Sequence, residues 1–532
     1  MICRCLFILL LMLSLLAGEA LAAADDSAPA LRRLSVSPSV GTETLRYSST
    51  LNRFYQERQF QPAWSDGRQL FATAEELLAA IPAAAGEGLD PRNYHLAALT
   101  DRSRLFRTTP TAQVAAELDL LLSDAFISLS SHYLNGRIAP ALVDREWHIP
   151  REQADPLRML NQALTSGRIH DSLQALLPQD PAYGALRRAW QDLQLLAAVG
   201  GWPRLSFKPP LRPGASGPEV TALRQRLVVS GDLSAAEGSG ESFDSGLEDA
   251  VRRFQLRHGL KMDAIVGPQT LAALNVPASE RTRQLAVNLE RWRWLPRSLG
   301  ERHLRVNLPA FHLELFEAGE PVLNMRVIVG RQVRQTPAFV GRMTYLVLNP
   351  YWEVPPNLAV LDLLPKIQAD VGYLAKNGIK VFTRPGGTRL NPANIAWQQL
   401  GAGNFPYHLR QDPGPKNALG RIKFMFPNRY TIYLHDTPTT KLFEREQRSF
   451  SSGCIRIEKP FDLAQSLLRG TPLASPTSLE EILQSAKNQT VLLPAPLPVY
   501  LLYFNAWVEA DGTLNFRPDL YQRNLRLDRA LH

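Results

Sequence analysis

The spacing of hydrophobic residues changes once along this chain of 532 residues, near His303. Before that point, apolar residues recur every three or four positions, which is typical of helices with one buried side. After it, apolar and polar residues alternate, as in Leu304-x-Val306-x-Leu308, which is typical of strands. At about 150 residues per domain, this length corresponds to three or four domains. The sequence therefore predicts a multidomain α+β protein.

The composition excludes several broad classes of protein. With 45% hydrophobic and 20% charged residues, the chain is that of a globular protein, which excludes wholesale disorder and fibres. The net charge of +9 is mild for this length, and no dense run of lysine or arginine occurs. We therefore expect no nucleic-acid partner.

The first 22 residues read as a signal peptide. Arg4 provides a positive start, Leu6 to Leu16 is apolar except for Ser14, and Ala20-Leu21-Ala22 is a small-residue cleavage site. The apolar run is shorter than the roughly 20 residues that span a bilayer, and no later stretch qualifies. The sequence predicts export to the periplasm and no membrane span after cleavage, with a retained N-terminal anchor as the alternative.

Two helical units are predicted before the β-rich region. Residues 40–205 form a mainly helical scaffold domain, whose longest helix runs from Ala112 to the stop signal at Gly136. Residues 211–276 form a small three-helix binding module, with capping-box starts at Ser216-x-x-Glu219 and Ser245-x-x-Glu248. Four histidines lack the spacing of zinc ligands and are interpreted as structural, so we expect neither metal nor cofactor: His95, His132, His148 and His170.

The β-rich catalytic domain spans residues 303–532 and is interrupted at 358–407. That interruption contains a helical piece, Leu361 to Leu374, and loops rich in glycine and proline. An insertion of this length in a β domain is often a lid or a binding element, so it is predicted to be a capping subdomain.

The cysteines point to a reactive thiol. Cys3 and Cys5 lie in the leader, which leaves Cys454 alone in an oxidising compartment, where cysteines normally pair. It is either a small buried hydrophobe or a nucleophile. Gly453 permits a tight turn before it, and His435 follows the predicted strand Thr431 to Leu434. A neighbouring imidazole that takes the thiol proton would form a reactive ion pair.

Several motifs resemble the L,D-transpeptidases with a YkuD-type catalytic domain, and among them the large YcbB-like periplasmic subgroup. In that domain they are Asn349-Pro350-Tyr351-Trp352-x-Val354-Pro355, Gln411-x-Pro413-Gly414-x-x-Asn417-Ala418-Leu419-Gly420, Lys423-Phe424-x-Phe426-Pro427-Asn428, Ile432-Tyr433-Leu434-His435-Asp436-Thr437-Pro438 and Ser451-Ser452-Gly453-Cys454-x-Arg456. Similarly, Phe254-Gln255-x-x-His258-Gly259-Leu260 and Gly267-Pro268-x-Thr270-Leu271-x-x-Leu274-Asn275 resemble a peptidoglycan-binding module. In that module, Ala264 replaces a usual glycine, and the alternative is that the unit is only a spacer.

The resemblance implies a set of catalytic residues. Cys454 would attack the bond between the third residue of a peptidoglycan stem peptide and D-alanine, with His435 as the base. The backbone of Asp436 would orient His435, and the N–H groups of Gly453 and Cys454 would hold the oxyanion.

The substrate-binding residues implied by the resemblance are Arg456, Tyr433, Trp352, Asn349 and Ser452. Arg456 would steer a carboxylate of the stem, Tyr433 and Trp352 would form walls of the cleft, and Ser452 stands where smaller relatives carry a histidine. The alternatives are an ion-pair role for Arg456 and core or turn roles for Trp352, Tyr433 and Asn349.

The leading hypothesis is therefore a transpeptidase that makes 3→3 cross-links through a thioester and is open to acylation by carbapenems. A carboxypeptidase or D-amino-acid exchange enzyme acting on the same stems is one alternative. A non-catalytic scaffold that binds the cell wall is another.

Overall fold

The computed structural model describes residues 27–532, so the predicted signal peptide, Cys3 and Cys5 lie outside the described residues. The predicted multidomain α+β class is confirmed: helices dominate the N-terminal part and strands the C-terminal part. Within residues 27–532, no helix combines the length and the apolar character needed to cross a membrane.

The N-terminal helices surround one long central helix. Ala112–Asn135 begins at Thr111, whose hydroxyl accepts a hydrogen bond from the Val114 N–H, and ends before Gly136. Nearly every residue in its second half is buried, because neighbouring helices cover it on several sides. The helices of this region are Ser27–Leu34, Ser48–Glu57, Ala72–Ala83, Leu96–Thr108, Ala112–Asn135, Pro140–Val143, Pro156–Ser166, Ile169–Gln174 and Pro181–Ala198, beside a small hairpin of Ser39–Val40 and Glu43–Thr44.

A further helix, Ala278–Arg293, belongs to this bundle although it follows the binding module in sequence. It packs against Pro181–Ala198 and against the C-terminal helix Asn524–Leu531. Its buried Glu290 accepts a hydrogen bond from the Ile138 N–H and pairs with Arg293 at 2.9 Å. The sequence did not predict this helix, because its many charges look solvated and their partners come from distant parts of the chain.

The small module has three helices, Pro218–Val229, Ser245–Arg257 and Pro268–Leu274, around a separate apolar core. Both predicted capping boxes were wrong. The first helix follows Gly217 without a side-chain cap, and Asp244 caps the second by accepting from the Leu247 N–H. Ala264 has a φ of +60°, which explains why glycine suits this position.

Nine strands form the main sheet: β1 (Arg302–Asn307), β2 (His312–Glu317), β3 (Glu320–Gly330), β4 (Val340–Leu348), β5 (Ile422–Met425), β6 (Leu434–His435), β7 (Ser449–Ser451), β8 (Ile455–Ile457) and β9 (Gln489–Leu502). Their order is β7-β3-β8-β6-β5-β4-β9-β1-β2, and β2 also pairs with β3. The strand pairing therefore closes the sheet on itself, and β7 pairs with β3 outside the closed part. The remaining elements are the helices Pro460–Leu467 and Pro476–Gln484 and the hairpin Ala506–Val508/Leu514–Phe516.

The chain between β4 and β5 forms a separate α/β insertion. Its four strands run in the order Trp352–Glu353, His408–Gln411, Ile379–Phe382, Arg389–Leu390, and its helical segments are Pro356–Leu358, Ala359–Leu363, Leu364–Ala369 and Gly372–Lys376. The predicted helical piece thus exists, although it is broken into short segments. A core around Ile367, Val381 and Trp397 holds the insertion together.

The scaffold helices and the main sheet share one continuous hydrophobic core, whereas the module and the insertion each have their own. At the junction, Trp147 packs edge-on against Trp294 with ring centroids 5.1 Å apart. The backbone at Trp147 also bridges to Ala338, just before β4. The scaffold therefore contacts the main sheet next to the start of β4.

Candidate active site

Three neighbouring strands bring five polar side chains to one face of the main sheet. Side chains alternate along β5, β6 and β8, so that Phe424, Leu434 and Ile455 point into the core. The intervening residues occupy the opposite face, where the register places His435 between its β5 partner and its β8 partner. The residues of this face are Lys423, Tyr433, His435, Cys454 and Arg456.

The turn that carries Cys454 depends on glycine and on buried hydroxyl groups. Gly453 has a φ of +121°, and a Cβ there would lie 3.2 Å from Ile432. The Thr336 hydroxyl donates to the Gly453 carbonyl at 2.7 Å, and the Ser451 hydroxyl donates to the Cys454 carbonyl. These bonds fix the backbone on both sides of the sulfur.

The predicted oxyanion donors differ in availability. The Gly453 N–H donates to the Ser451 hydroxyl at 3.1 Å, which corrects its assignment as a free donor in this conformation. The Cys454 N–H has no acceptor within residues 27–532. An oxyanion at this turn would therefore meet the N–H of Cys454 first.

His435 is oriented by the backbone of the next residue. Its Nδ1 lies 2.5 Å from the Asp436 carbonyl, which accepts the ring proton and leaves Nε2 as the basic nitrogen. The Asp436 carboxylate accepts from the N–H groups of Arg421 at 2.8 Å and Thr437 at 2.7 Å. Gly420, with a φ of +63°, makes room for that carboxylate, since a Cβ there would lie 2.3 Å from it.

Burial keeps both His435 and Cys454 uncharged. Desolvation, with a smaller effect of Arg456, lowers the pKa of His435 to about 3. Desolvation also raises the pKa of the Cys454 thiol, although the neighbouring Tyr433 opposes it. At neutral pH the resting pair is therefore a thiol and a neutral imidazole, and this differs from the ion pair that the sequence suggested.

The sulfur lies in a polar pocket on this face. The Cys454 thiol donates to the Thr431 carbonyl at 3.6 Å, and Tyr433 lies near enough to Cys454 for each residue to shift the pKa of the other. The ammonium of Lys423 lies 4.0 Å from the centre of the Tyr433 ring. Tyr433 and Lys423 therefore lie beside the nucleophile.

The predicted strand Thr431 to Leu434 is shorter than expected and begins at Leu434. Thr431 has a φ of +58°, and the Asn428 side chain bonds to both the N–H and the carbonyl of Ile432. These side-chain bonds replace ladder bonds and turn the Thr431 carbonyl toward the sulfur.

Arg456 is a cation without a counterion. It lies opposite His435 in the parallel register, and no carboxylate of residues 27–532 is within ion-pair distance of it. Its Nε is buried and has no hydrogen-bond partner. The ion-pair alternative therefore does not describe this structure, and the guanidinium is available to an incoming anion.

Three predicted substrate-binding residues contact other parts of the fold. Asn349 is buried, with a φ of +49°, and its amide donates to the carbonyls of Ile482 at 2.9 Å and Lys487 at 3.2 Å. Its amide protons are therefore used by the fold, as in the core or turn alternative for this residue. Trp352 packs against the core of the insertion, and the exposed Ser452 accepts from Arg334 at 3.1 Å.

Sequence reasoning missed three contributors to the site. Lys423 stood in a quoted motif, but only the pairing of β5 with β6 brings it to Tyr433. Ser451 and Thr336 support the turn through buried hydrogen bonds. The position of Lys423 at an alternating site in a strand was the one available signal.

No group of three or more His, Cys, Asp or Glu side chains in the part of the chain that the structure describes is arranged to hold a metal ion. Three of the four histidines interpreted as structural have side-chain partners, and His148 stacks on Tyr430 with ring centroids 4.8 Å apart. His95 lies between Glu43 at 2.7 Å and Asp124 at 2.8 Å, and His132 bonds to Tyr94 at 2.9 Å.

Comparison with protein families assigns each of the three regions. Residues 301–474 match the model of the YkuD family, the "L,D-transpeptidase catalytic domain". This protein contains an L,D-transpeptidase catalytic domain. Residues 49–189 match a "Scaffold domain", and residues 216–274 match a "Putative peptidoglycan binding domain".

Individual relatives agree with these matches. The chain is 36% identical over 267 residues to a "Putative L,D-transpeptidase" of Haemophilus influenzae, covering 49% of this chain and 53% of the relative. A 64-residue segment is 38% identical to the "N-acetylmuramoyl-L-alanine amidase CwlL" of Bacillus licheniformis, covering 12% of this chain and 18% of that protein. The chain thus spans about half the length of the first relative.

Among solved structures, an L,D-transpeptidase (residues 123–326) from Xylanimonas cellulosilytica is 18% identical in sequence to this chain. The alignment covers 56% of this chain and 99% of the other, with a TM-score of 0.18.

Proposed function

We propose that this protein is a peptidoglycan L,D-transpeptidase that uses Cys454 as its nucleophile and acts in the periplasm. One observation carries the proposal: within the catalytic domain, the thiol shares a sheet face with a neutral, oriented imidazole and an uncompensated arginine. These are a nucleophile, a base and an anion-binding group, the three parts that acyl transfer at a carboxylate-bearing peptide needs.

In the first step, His435 Nε2 accepts the proton of the Cys454 thiol as the sulfur attacks the donor carbonyl. The attacked bond joins the third stem residue, usually meso-diaminopimelate, to the fourth residue, D-alanine. The imidazolium then returns the proton to the leaving nitrogen, so that D-alanine departs as a neutral amine and a thioester forms. Because both groups start uncharged, proton transfer accompanies attack instead of preceding it.

In the second step, the side-chain amine of another stem's third residue attacks the thioester. His435 accepts a proton from that amine, and the Cys454 thiolate leaves and is reprotonated. The product is an amide between two third residues, a 3→3 cross-link. The Cys454 N–H supports the oxyanion in both steps, and a donor of this kind contributes about 3 kcal/mol to transition-state stabilisation in comparable sites.

Arg456 supports recognition of the donor stem. Its burial and lack of a counterion favour a carboxylate ligand, which would replace lost solvation by charge-assisted hydrogen bonds. The insertion is attached beside the nucleophile turn, since Asp362 pairs with Arg331 at 3.2 Å and with Arg334, which also holds Ser452. This placement supports its role as a cap over bound substrate.

The test is product analysis with purified protein and disaccharide-tetrapeptides. Mass spectrometry is expected to show dimers that have lost one D-alanine, together with free D-alanine. Cys454→Ala is expected to give no dimer, whereas Thr477→Ala, at an exposed position of the catalytic domain outside the site, is expected to retain dimer formation. Tripeptide monomers alone would indicate a carboxypeptidase, and incorporation of added D-amino acids alone would indicate an exchange enzyme.

Acylation by a carbapenem provides an independent test of the nucleophile. We expect a covalent mass increase of one carbapenem in the wild-type protein and none in Cys454→Ala. No adduct and no product with the wild type would contradict the proposal and favour a cell-wall-binding scaffold.

A further inference from the structure

A large cavity lies between the binding module and the C-terminal part of the catalytic domain, and none of the catalytic residues lines it. Its volume is about 1190 Å³. The module contributes Leu260 and Ala272 to the wall, the helix Ala278–Arg293 contributes Arg281, and the C-terminal segment contributes Phe516 and Arg517. Since drug-sized ligand sites measure about 300–1,000 Å³, this space suits an extended ligand.

Arg281 is the key residue of the cavity. Its side chain stacks on Phe516, 4.5 Å from the ring centre, and donates to the Gln284 amide oxygen at 2.8 Å. Only 9% of the residue is exposed, yet within residues 27–532 no carboxylate lies within ion-pair distance of it. Burial lowers its pKa to about 10, so the guanidinium remains charged at neutral pH.

A second arginine of the wall, Arg517, is similarly uncompensated. It donates to the carbonyls of Arg257 at 2.9 Å and Phe516 at 2.8 Å and stacks on Trp507. Like Arg281, it forms no ion pair with any carboxylate of the described chain. Two poorly solvated cations lining one cavity favour an anionic ligand.

The acidic residues around the cavity form no ion pair with these arginines, although Glu280 raises the pKa of Arg281 and Glu509 that of Arg517. Asp528 pairs with Arg283, and Asp519 accepts hydrogen bonds from the Tyr503 hydroxyl at 2.6 Å and from the backbone N–H groups of the C-terminal segment. Glu280 and Glu446 are exposed at the rim. The positive charge of the wall therefore remains available.

We propose that this cavity binds the carboxylate-bearing stem peptide of a peptidoglycan strand, at a site separate from Cys454. The proposal rests on the proposed function for the identity of the ligand. Guanidinium groups match carboxylates, the apolar wall of Leu260, Ala272 and Phe516 suits alkyl and sugar faces, and one wall belongs to the matched peptidoglycan-binding domain. Holding a strand here raises the concentration of its other stems at the sulfur.

The proposal is tested by calorimetric titration of the disaccharide-tetrapeptide into full-length Cys454→Ala, which binds without turnover. Ala272→Trp fills the cavity from an exposed position of the module and is expected to remove one of two binding events. Ala236→Trp is the matched control, because Ala236 is exposed on the same module but does not line the cavity. It is expected to retain both events, and Ala272→Trp with unchanged binding would overturn the proposal.

The chemistry of recognition is tested with Arg281→Gln. We expect a loss of affinity of about tenfold or more for the acidic muropeptide, but less than about twofold for the same compound with amidated carboxylates. An equal loss for both ligands would overturn carboxylate recognition, as would competition by a peptide-free glycan. Carbapenem acylation of the wild type is measured separately: acylation without cavity binding defeats this proposal alone, and cavity binding without acylation or product defeats only the proposed function.

Discussion

The scaffold and the binding module are both helical and both precede the sheet, but they relate to it differently. The scaffold bundle shares one hydrophobic core with the main sheet, and Trp292 of the bundle stacks on Phe504, just after β9, with ring centroids 5.2 Å apart. The module closes its own core around residues such as Leu223 and Phe254. Helical content therefore does not show whether a region is an independent unit; the apolar surface left over after its helices have packed decides that.

The largest expected change in the free energy of unfolding comes from a substitution in the shared core. Trp294→Ala removes a fully buried indole at the junction, and we expect the free energy of unfolding to fall by about 3–5 kcal/mol. Because the core is continuous, denaturant midpoints followed by circular dichroism and by carbapenem acylation should fall together. An acylation midpoint that stays at the wild-type value would show that the catalytic sheet does not need the scaffold.

A large-to-small substitution in the core of the module should destabilise only the module. Leu223→Ala is expected to destabilise the module by about 2–5 kcal/mol, because Leu223 is fully buried in that separate core. Hydrogen exchange should increase in residues 218–274, with no change in the acylation midpoint. Leu256→Ala is the control: that leucine is 54% exposed, and we expect a change below about 0.5 kcal/mol. If Leu223→Ala lowered the denaturant midpoint followed by carbapenem acylation, the module and the shared core would unfold together, which would contradict a separate module core.

The insertion also has its own core, so its attachment should depend on a few contacts. Asp362→Asn weakens the ion pairs with Arg331 and Arg334, which are partly exposed, and we expect a loss of about 1 kcal/mol or less. The expected readouts are faster hydrogen exchange in residues 356–376 and a KM for the tetrapeptide raised up to about fivefold. Asp370→Asn is the control, since Asp370 pairs with Lys376 inside the insertion. Equal effects of both variants would contradict an attachment through Asp362.

The smallest expected effect is the pH dependence of the acylation rate constant. The comparison is between the buried site and a small thiol in water. His435 is neutral above its pKa of about 3, and the thiol has a raised pKa, so neither group titrates between pH 5 and 8. We expect the acylation rate constant to vary less than about twofold over that range. A small free thiol provides the control, because its reactivity rises about tenfold per pH unit below a pKa of about 8.5. A sigmoidal change near pH 6.5 would contradict a buried neutral imidazole.

Much of the site was readable from the sequence because its signals are local. The turn at Gly453, the lone Cys454 and the position of His435 after an apolar segment each depend on a few consecutive residues. For Asn349, the sequence left a substrate contact and a core or turn role open, because a motif residue that serves the fold and one that serves the substrate look alike; in the structure its amide donates to backbone carbonyls. The helix Ala278–Arg293 was missed because Glu290 and Arg293 look exposed until their distant partners are known.

The sequence by itself determined the α+β class and the pair of residues that carries the proposed chemistry, because hydrophobic period and turn-forming glycines act within a few residues. Tertiary structure decided which regions share a core, that Arg456 and Arg281 lack counterions, and that Cys454 and His435 rest uncharged. Those properties depend on desolvation and on contacts between segments far apart in the chain. Neither can be predicted from the local pattern of residues.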